Sequence, residues 1–311
     1  MSILLACSFD ADDWALWRPA LEAALPGERF VTQADDGPRE AIDVAIVANP
    51  PPGSLAGLPR LALIQSLWAG VDRLLDDTSL PAGVPIARMV DPAMNAAMAE
   101  TALWAVLSLH RGFFRYQALQ REARWAPHGQ RRADELSVAV LGLGEMGATA
   151  ARRIAAMGYR VIGWSRNPRA VDGIEVRAGF GALPDVLGAA DVVINLLPLT
   201  DATRGLFNAA RFALMRPRAG FVNLARGAHV VEADLLAALE TGRIGHAVLD
   251  VFRREPLPHG HAFWAHPHVT VLPHAAAQTD PRSAAEVAAA NVRALRIGAA
   301  LSHLVDRSRG Y

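Results

Sequence analysis

The sequence contains no lysine, so arginine accounts for all 31 of its basic residues. Without an ε-amino group the chain cannot form a Schiff base with a substrate or use a lysine as a general acid. The 31 basic residues are balanced by 31 acidic ones, giving a formal net charge of zero. This balance argues against nucleic acid as the main partner.

Cysteine is almost as rare, since Cys7 is the only one. A single thiol excludes an internal disulfide and a cysteine metal cluster, and its place in an apolar run favours a buried structural role. No run of 18 apolar residues free of charge occurs, so we predict no membrane span. The opening residues 1–6 lack a basic n-region, so we predict no signal peptide and expect a cytoplasmic protein.

Glycines at GxGxxG spacing dominate the middle of the chain. Apolar residues 138–141 predict a buried strand, and Gly142, Gly144 and Gly147 follow it directly. Residues 148–157 then continue as helix formers. A strand, a tight glycine turn and a helix N-terminus together favour a site for the pyrophosphate of a dinucleotide. An ordinary glycine-rich connection is the alternative.

Short apolar runs alternate with helical patterns along the chain, which predicts an α/β protein. In the first 90 residues the predicted strands are 3–6, 44–48 and 61–67, with a helix at 14–25. From 137 onward they are 138–141, 160–164, 191–197, 220–225, 246–251 and 269–272. Strands without polar alternation indicate burial on both faces, as in a doubly wound parallel sheet. A last helix, 281–298, is expected to pack on the first domain.

Three polar side chains follow the ends of three predicted strands. Arg226 comes directly after 220–225, Glu255 lies four residues past Val251, and His274 lies two residues past Leu272. Ligands of open α/β sheets bind beyond these strand ends. Taken singly, a surface arginine, a solvated glutamate and a paired histidine explain each position equally well.

Together the three suit the reduction of a 2-oxo acid. Arg226 can bind a carboxylate through two parallel N–H bonds and polarise the adjacent carbonyl. His274 can donate a proton to the carbonyl oxygen as hydride arrives. Glu255 can accept the second ring N–H and favour the imidazolium.

The stretch 67–72 (LWAGVD) follows another predicted strand and opens a helix. Its backbone N–H groups could bind a carboxylate. A plain strand–helix turn fits these residues equally well.

A continuous helix is predicted from Ala96 to about Arg124, since no proline interrupts this stretch. Its large apolar residues exceed what one amphipathic face needs: Trp104, Leu107, Phe113, Phe114 and Tyr116. Core packing accounts for some of them. We predict that the rest, on the helix at 97–124, form the interface of a homodimer.

The choice of dinucleotide depends on the end of the second strand of the cofactor domain. NAD sites carry an acidic residue there for the ribose 2′-hydroxyl. Here Trp164 is followed by Ser165 and Arg166. Because these side chains would bind a 2′-phosphate, we predict NADP(H), with NAD(H) as the alternative. A solvated loop charge is the other explanation of Arg166.

Four histidines, His259, His261, His266 and His268, follow Glu255 closely. Two HxH pairs could ligate zinc. We favour a surface loop and predict no metal site, since no cysteine is nearby.

Several motifs resemble the D-isomer-specific 2-hydroxyacid dehydrogenase family. The matching stretches are 141–147 (LGLGEMG), 195–200 (NLLPLT), 223–227 (NLARG), 249–257 (LDVFRREPL) and 273–276 (PHAA). Shorter matches at 8–10, 164–166 and 304–307 resemble its glyoxylate/hydroxypyruvate reductase A group. The resemblance implies a flavodoxin-like substrate domain, 1–96 with 277–311, into which a Rossmann-type dinucleotide-binding domain, 97–276, is inserted.

The resemblance also implies a set of site residues. Arg226, Glu255 and His274 would be catalytic, and the amides of Ala69 and Gly70 beside Trp68 would bind the substrate carboxylate. Trp68 stands where related reductases have a small residue, which leaves the exact substrate open. The residues implied for the cofactor are Gly142, Leu143, Gly144, Glu145, Met146, Gly147, Ser165, Arg166, Leu197, Pro198, Ala225 and Asp250.

Two other interpretations of the sequence are alternatives to a reductase of small 2-oxo acids. A 3-hydroxyacid dehydrogenase has a similar glycine loop, but it needs a catalytic lysine and carries the loop at the start of its chain. A non-catalytic protein that senses dinucleotides has this fold too. The presence of Arg226, Glu255 and His274 argues against the second reading.

Overall fold

The computed structural model describes residues 1–32 and 38–311. The chain divides into two compact units, Met1–Met94 with Thr279–Tyr311 and Asn95–Gln278. Within the described ranges, no helix combines the length and the apolar character needed to cross a membrane.

The strands of the two units are β1 (Ser2–Cys7), β2 (Phe30–Thr32), β3 (Ile42–Ala48), β4 (Leu63–Ser66), β5 (Ile86–Ala87), β6 (Ser137–Leu141), β7 (Arg160–Ser165), β8 (Glu175–Ala178), β9 (Val192–Asn195), β10 (Ala219–Asn223), β11 (Ile244–Leu249) and β12 (Val269–Val271). The α-helices are α1 (Ala11–Ala24), α2 (Asp72–Leu75), α3 (Pro92–Arg111), α4 (Phe113–Arg121), α5 (Glu145–Ala156), α6 (Leu183–Ala189), α7 (Ala209–Leu214), α8 (Glu232–Glu240), α9 (Ala262–Ala265) and α10 (Pro281–Arg296).

The first unit contains a parallel sheet in the order β2-β1-β3-β4-β5. Every residue of β3 is buried, as expected for a strand covered on both faces. This strand order is that of flavodoxin-like folds. The short strands β2 and β5 were not predicted, because runs of three and two residues carry no periodic signal.

Helix α10 belongs to this first unit. Asp280 caps its N-terminus by accepting a hydrogen bond from the Arg282 amide. Its alanine-rich face is buried, and Asn291 on it donates to Gln65 Oε1 at 2.8 Å. Arg296 forms ion pairs with Glu28 and Asp43. The last helix therefore packs on the first domain, as predicted.

The second unit contains a parallel sheet in the order β12-β11-β10-β9-β6-β7-β8. The order reverses between β6 and β9, which is the topological switch point where doubly wound sheets bind ligands. Apolar clusters cover both faces of this sheet. The predicted α/β class with two doubly wound domains is confirmed.

The continuous helix predicted from Ala96 to Arg124 is wrong, since the chain forms α3 and α4 instead. Gly112 separates them in the left-handed conformation, with φ 70°. A side chain there would also meet the His128 ring, which lies 2.4 Å from the position of a Cβ atom. The break comes from a glycine and a long-range contact, which helical periodicity alone did not reveal.

Candidate active site

The glycine loop joins β6 to α5 at the switch point. Gly142 has φ +94°, and a Cβ atom on it would lie 2.5 Å from the Leu196 carbonyl oxygen. A Cβ atom on Gly147 would lie 1.7 Å from the Gly142 carbonyl oxygen. Both positions therefore require glycine, one for the turn and one for close packing of α5.

The surroundings of Gly144 are open on the side where a phosphate would bind. A Cβ atom there would meet nothing within 4 Å among the described residues, and none of their side chains caps α5 at this residue. The first-turn amides of α5 thus face the loop with the positive end of the helix dipole. These residues fit the pyrophosphate of a dinucleotide.

The end of β7 presents basic and hydroxyl groups. Trp164 is buried there and donates its indole N–H to the Gly179 carbonyl at 2.9 Å. Ser165 Oγ donates to the Asn167 carbonyl at 2.6 Å, and the partly exposed Arg166 follows. An acidic residue, the usual partner of an NAD ribose, is absent from this strand end in the sequence.

His274 and Glu255 are in direct contact beyond the ends of β12 and β11. His274 Nδ1 lies 2.8 Å from Glu255 Oε2, and Glu255 Oε1 accepts the Phe252 amide at 2.9 Å. A protonated Nδ1 donates to a carboxylate oriented by the backbone, which leaves Nε2 to act on a ligand. The imidazole side chain is about half exposed, at 52%.

Asp250 holds the backbone on which His274 sits. Its buried carboxylate accepts the amides of Ala275 at 2.7 Å and Ala276 at 3.1 Å, and its carbonyl accepts the His274 amide at 2.9 Å. His274 has φ +55°, a left-handed conformation that a non-glycine residue adopts only when its surroundings enforce it. Burial raises the pKa of Asp250, while these amide bonds oppose the rise.

Arg226 follows β10, the strand next to β11. Its Nη1 donates to the Ala225 carbonyl at 2.7 Å, and its own carbonyl accepts from Asn223 Nδ2 at 3.0 Å. The side chain is only partly exposed, so the guanidinium is held near the strand end. Arg226, Glu255 and His274 therefore come from the ends of three adjacent strands, β10, β11 and β12.

The loop at Trp68, Ala69 and Gly70 belongs to the first unit. Ser66 Oγ accepts the Trp68 amide at 3.0 Å, whereas the described residues supply no acceptor for the Ala69 and Gly70 amides. The Trp68 ring contacts Trp17 and Phe9, with centroids 5.8 and 6.3 Å apart. Helix α2, which follows, has only one turn.

The histidine-rich loop is held together by local contacts. His261 Nδ1 accepts the Phe263 amide, and its Nε2 lies 3.5 Å from Glu232 Oε2. His266 Nδ1 accepts the His268 amide. Across residues 1–32 and 38–311, no group of three or more His, Cys, Asp or Glu side chains could hold a metal ion.

Three buried polar residues near the site had no predicted role. They are Asn195, Asn223 and His229. The available signal was an asparagine at the last position of two adjacent apolar strands, β9 and β10. A polar side chain in an apolar strand that is buried on both faces indicates a specific hydrogen-bonding task.

A profile of the NAD binding domain of D-isomer specific 2-hydroxyacid dehydrogenases matches residues 103–276. The glyoxylate/hydroxypyruvate reductase A of Serratia proteamaculans (strain 568) is 41% identical over 97% of both chains. That of Yersinia enterocolitica is 39% identical, over 95% of this chain and 96% of the relative.

Two solved structures are similar over their full length. A D-isomer specific 2-hydroxyacid dehydrogenase from Xanthobacter autotrophicus Py2, in complex with NADPH and MES, is 42% identical with a TM-score of 0.94 and covers 100% and 99% of the two chains. An NADPH-dependent glyoxylate/hydroxypyruvate reductase from Sinorhizobium meliloti, in complex with NADP and sulfate, is 36% identical with a TM-score of 0.93 and covers 100% of both chains.

Proposed function

The chain belongs to the D-isomer specific 2-hydroxyacid dehydrogenase family, and we propose that it reduces glyoxylate or hydroxypyruvate to the D-2-hydroxy acid with NADPH. Its relatives of about 40% identity are named glyoxylate/hydroxypyruvate reductase A. Family membership makes the chain an NAD(P)-dependent enzyme. It argues against the two alternative interpretations, a 3-hydroxyacid dehydrogenase and a non-catalytic dinucleotide sensor. The observation that carries the proposal is the His274–Glu255 pair, together with Arg226 beyond the end of the neighbouring strand β10, so that three adjacent strand ends of the cofactor-binding unit each supply one of these residues.

When bound, NADPH supplies the hydride that reduces the C2 carbonyl. Gly142, Gly144 and Gly147 bring the backbone close to the pyrophosphate, and the first-turn amides of α5 bind its charge. Ser165 and Arg166 bind the 2′-phosphate through a hydroxyl and a guanidinium. The remaining contacts proposed for the dinucleotide are Leu143, Glu145, Met146, Leu197, Pro198, Ala225 and Asp250.

The protein's own groups bind and protonate the substrate. Arg226 binds the carboxylate and the 2-oxo oxygen, and so polarises the carbonyl. His274 donates the proton from Nε2 to that oxygen, while Glu255 at Nδ1 stabilises the charge of the imidazolium before transfer. The reverse reaction uses the neutral imidazole as a base.

The loop of the first unit has a separate role in this proposal. The Ala69 and Gly70 amides donate to the substrate carboxylate. Trp68, supported by Trp17 and Phe9, presents an aromatic surface to the substituent on C2 of the acid. A bulky residue here favours small substituents such as hydrogen or hydroxymethyl.

A panel of 2-oxo acids assayed with NADPH and NADH tests the function. We expect turnover of glyoxylate or hydroxypyruvate, with NADPH preferred over NADH. The matched control is His274→Ala, which keeps the cofactor loop. A folded wild-type protein that binds NADPH but reduces none of the acids would contradict the proposed activity.

We also propose that the enzyme is a homodimer through the surface of α3 and α4. Trp104 on α3 and Phe113 on α4 are 40% and 49% exposed, and Trp125, just after α4, is 97% exposed. Large apolar side chains gathered on one segment are typical of an interface. The proposed interface therefore involves two helices, α3 and α4, instead of the single helix that the sequence predicted.

Light scattering at micromolar concentration tests the dimer. Phe113→Glu is expected to give a monomer, because a charge would be buried at the interface. Leu214→Glu is the control, since Leu214 is an exposed apolar residue of similar exposure, 41%, on α7. A monomeric wild type, or equal effects of the two variants, would refute this interface.

A further inference from the structure

Three polar side chains are buried at the ends of β9 and β10. Asn195 and Asn223 are the last residues of these strands, and His229 ends a short 3-10 turn that begins at Gly227. Their exposed fractions are 0%, 1% and 0%. Burial of unpaired polar groups is costly, so such residues persist when each hydrogen bond has a defined partner.

Asn195 stands at the centre of this group, which we call the amide–imidazole network. Its Nδ2 donates to Asn223 Oδ1 at 2.9 Å and to His229 Nδ1 at 3.0 Å. Because Nδ1 of His229 accepts, Nε2 carries the hydrogen and donates to the Pro198 carbonyl at 3.2 Å. Asn195 Oδ1 in turn accepts the Leu197 amide at 3.2 Å.

Asn223 connects this network to the turn that carries Arg226. Its Oδ1 accepts the Ala225 amide at 3.3 Å as well as the bond from Asn195. Its Nδ2 donates to the Arg226 carbonyl at 3.0 Å. The network therefore joins the loop at Leu197 and Pro198 to the backbone on both sides of the Arg226 side chain.

We propose that Asn195, Asn223 and His229 are positioning residues that hold Arg226 in register with the cofactor loop at 197–198. This inference rests on the proposed function, in which Arg226 binds the substrate carboxylate and the loop borders the nicotinamide dinucleotide. Hydride transfer requires the carbonyl to be aligned with its donor, and a misplacement of about 1 Å can cost 10²-fold in rate. Buried, hydrogen-bonded amides and a neutral imidazole provide that rigidity without adding a charge beside the guanidinium.

The network acts on the substrate through the position of Arg226. Disrupting the network is therefore expected to impair substrate binding and alignment in a protein that contains Arg226, but not in an Arg226→Ala variant. Asn223→Ala breaks three bonds: it removes the acceptor of one Asn195 N–H, the side-chain donor to the Arg226 carbonyl and the acceptor of the Ala225 amide. We expect kcat/KM for glyoxylate to fall roughly tenfold or more, with a smaller change in the NADPH dissociation constant. The same substitution in an Arg226→Ala background is expected to add less than about threefold, because the two act on one interaction.

Asn291→Ala is the matched control. Asn291 is a buried asparagine of the first unit, 2% exposed, whose side chain also makes three hydrogen bonds, with Gln65 and twice with Ser302. It is expected to lower the thermal midpoint to a similar extent as Asn223→Ala, while leaving kcat/KM within about threefold of wild type.

Binding of oxalate to the NADPH complex, measured by calorimetry, gives a readout that does not need turnover. Asn223→Ala is expected to weaken oxalate in the Arg226 protein and not in the Arg226→Ala protein. This result would support the positioning role even if wild type reduced no 2-oxo acid, so the two proposals can fail separately. Equal losses in both backgrounds, or an equal loss in Asn291→Ala, would overturn the positioning role and leave the proposed activity standing.

His229 supplies a second pair of variants if Asn223→Ala does not fold. His229→Asn keeps an acceptor near the Nδ1 position, and His229→Gln keeps a donor near the Nε2 position. Because the link to Asn195 passes through Nδ1, His229→Asn is expected to retain more activity than His229→Gln. The reverse order, at equal thermal midpoints, would contradict the proposed network.

Discussion

Acid is expected to destabilise the cofactor-binding unit through His246 on β11. Its ring stacks on Phe114 with centroids 4.3 Å apart, and its Nε2 lies 2.9 Å from Thr270 Oγ1. Burial, and then the nearby His268 and His266, lower the pKa of His246 from 6.5 to about 4. The folded protein therefore accommodates the neutral ring.

The sign of the effect follows from proton linkage. The unfolded chain protonates this histidine below pH 6.5, whereas the folded chain does so only near its pKa of about 4. Between these values the unfolded state binds more protons, so stability is fully present above pH 6.5 and is lost as the pH falls. The linkage relation gives a loss of about 2 kcal/mol between pH 7 and pH 5, and at most about 3 kcal/mol below pH 4.

Urea denaturation followed by tryptophan fluorescence at pH 5, 6 and 7 measures this loss. Between pH 7 and pH 5, wild type is expected to lose about 2 kcal/mol more unfolding free energy than His246→Gln, which cannot gain the charge. His259→Gln is the control, because this histidine is exposed and its removal is expected to leave the wild-type pH dependence unchanged. Parallel curves for wild type and His246→Gln would refute the reasoning.

Further predictions concern the site itself. Arg166→Asp is expected to weaken the binding of NADPH at least about tenfold and that of NADH far less, because a charge-assisted bond is replaced by repulsion. Equal losses of affinity for both dinucleotides, measured by calorimetry, would show that Arg166 does not contact the 2′-phosphate. His274→Ala is expected to lower kcat roughly 10²–10⁴-fold, with a smaller change in KM, since the proton is needed only as charge develops; steady-state kinetics showing a change in KM alone would contradict this role. Glu255→Gln is expected to make the reduction rate fall off at lower pH than in wild type, because the amide no longer stabilises the imidazolium. Identical pH–rate profiles for the variant and the wild type would show that Glu255 does not influence His274.

Sequence reasoning worked best where chemistry follows from position along a strand. Parallel strands end at one edge of a sheet, so the sequence alone could assign Arg226, Glu255 and His274 to the ends of three strands at that edge. The glycine spacing likewise predicted the turn at Gly142 and the close packing at Gly147, both of which the structure contains. The roles proposed for these residues stay predictions until the variants are measured.

Reasoning from local pattern failed where a long-range contact decided the outcome. Helical periodicity continues through Gly112, whereas the structure places this glycine in the left-handed conformation with the His128 ring, from a segment 16 residues later, packed where a side chain would lie. The edge strand β8 and the short strands β2 and β5 were missed for a related reason, since pairing with a neighbouring strand, rather than their own composition, defines them.

By itself, the sequence determined the α/β class and the dinucleotide loop, and it supplied the side chains that are predicted to act in catalysis, because strand burial, glycine spacing and side-chain chemistry are local properties. Only the tertiary structure decided how those groups are held. The 2.8 Å contact of His274 with Glu255 joins residues 19 apart, and Asp250 enforces the left-handed turn at His274 from 24 residues earlier in the chain. Asn195, Asn223 and His229 meet across two strands and a turn. Such contacts depend on sheet order and register, and register is set by the packing of the whole core rather than by any one segment.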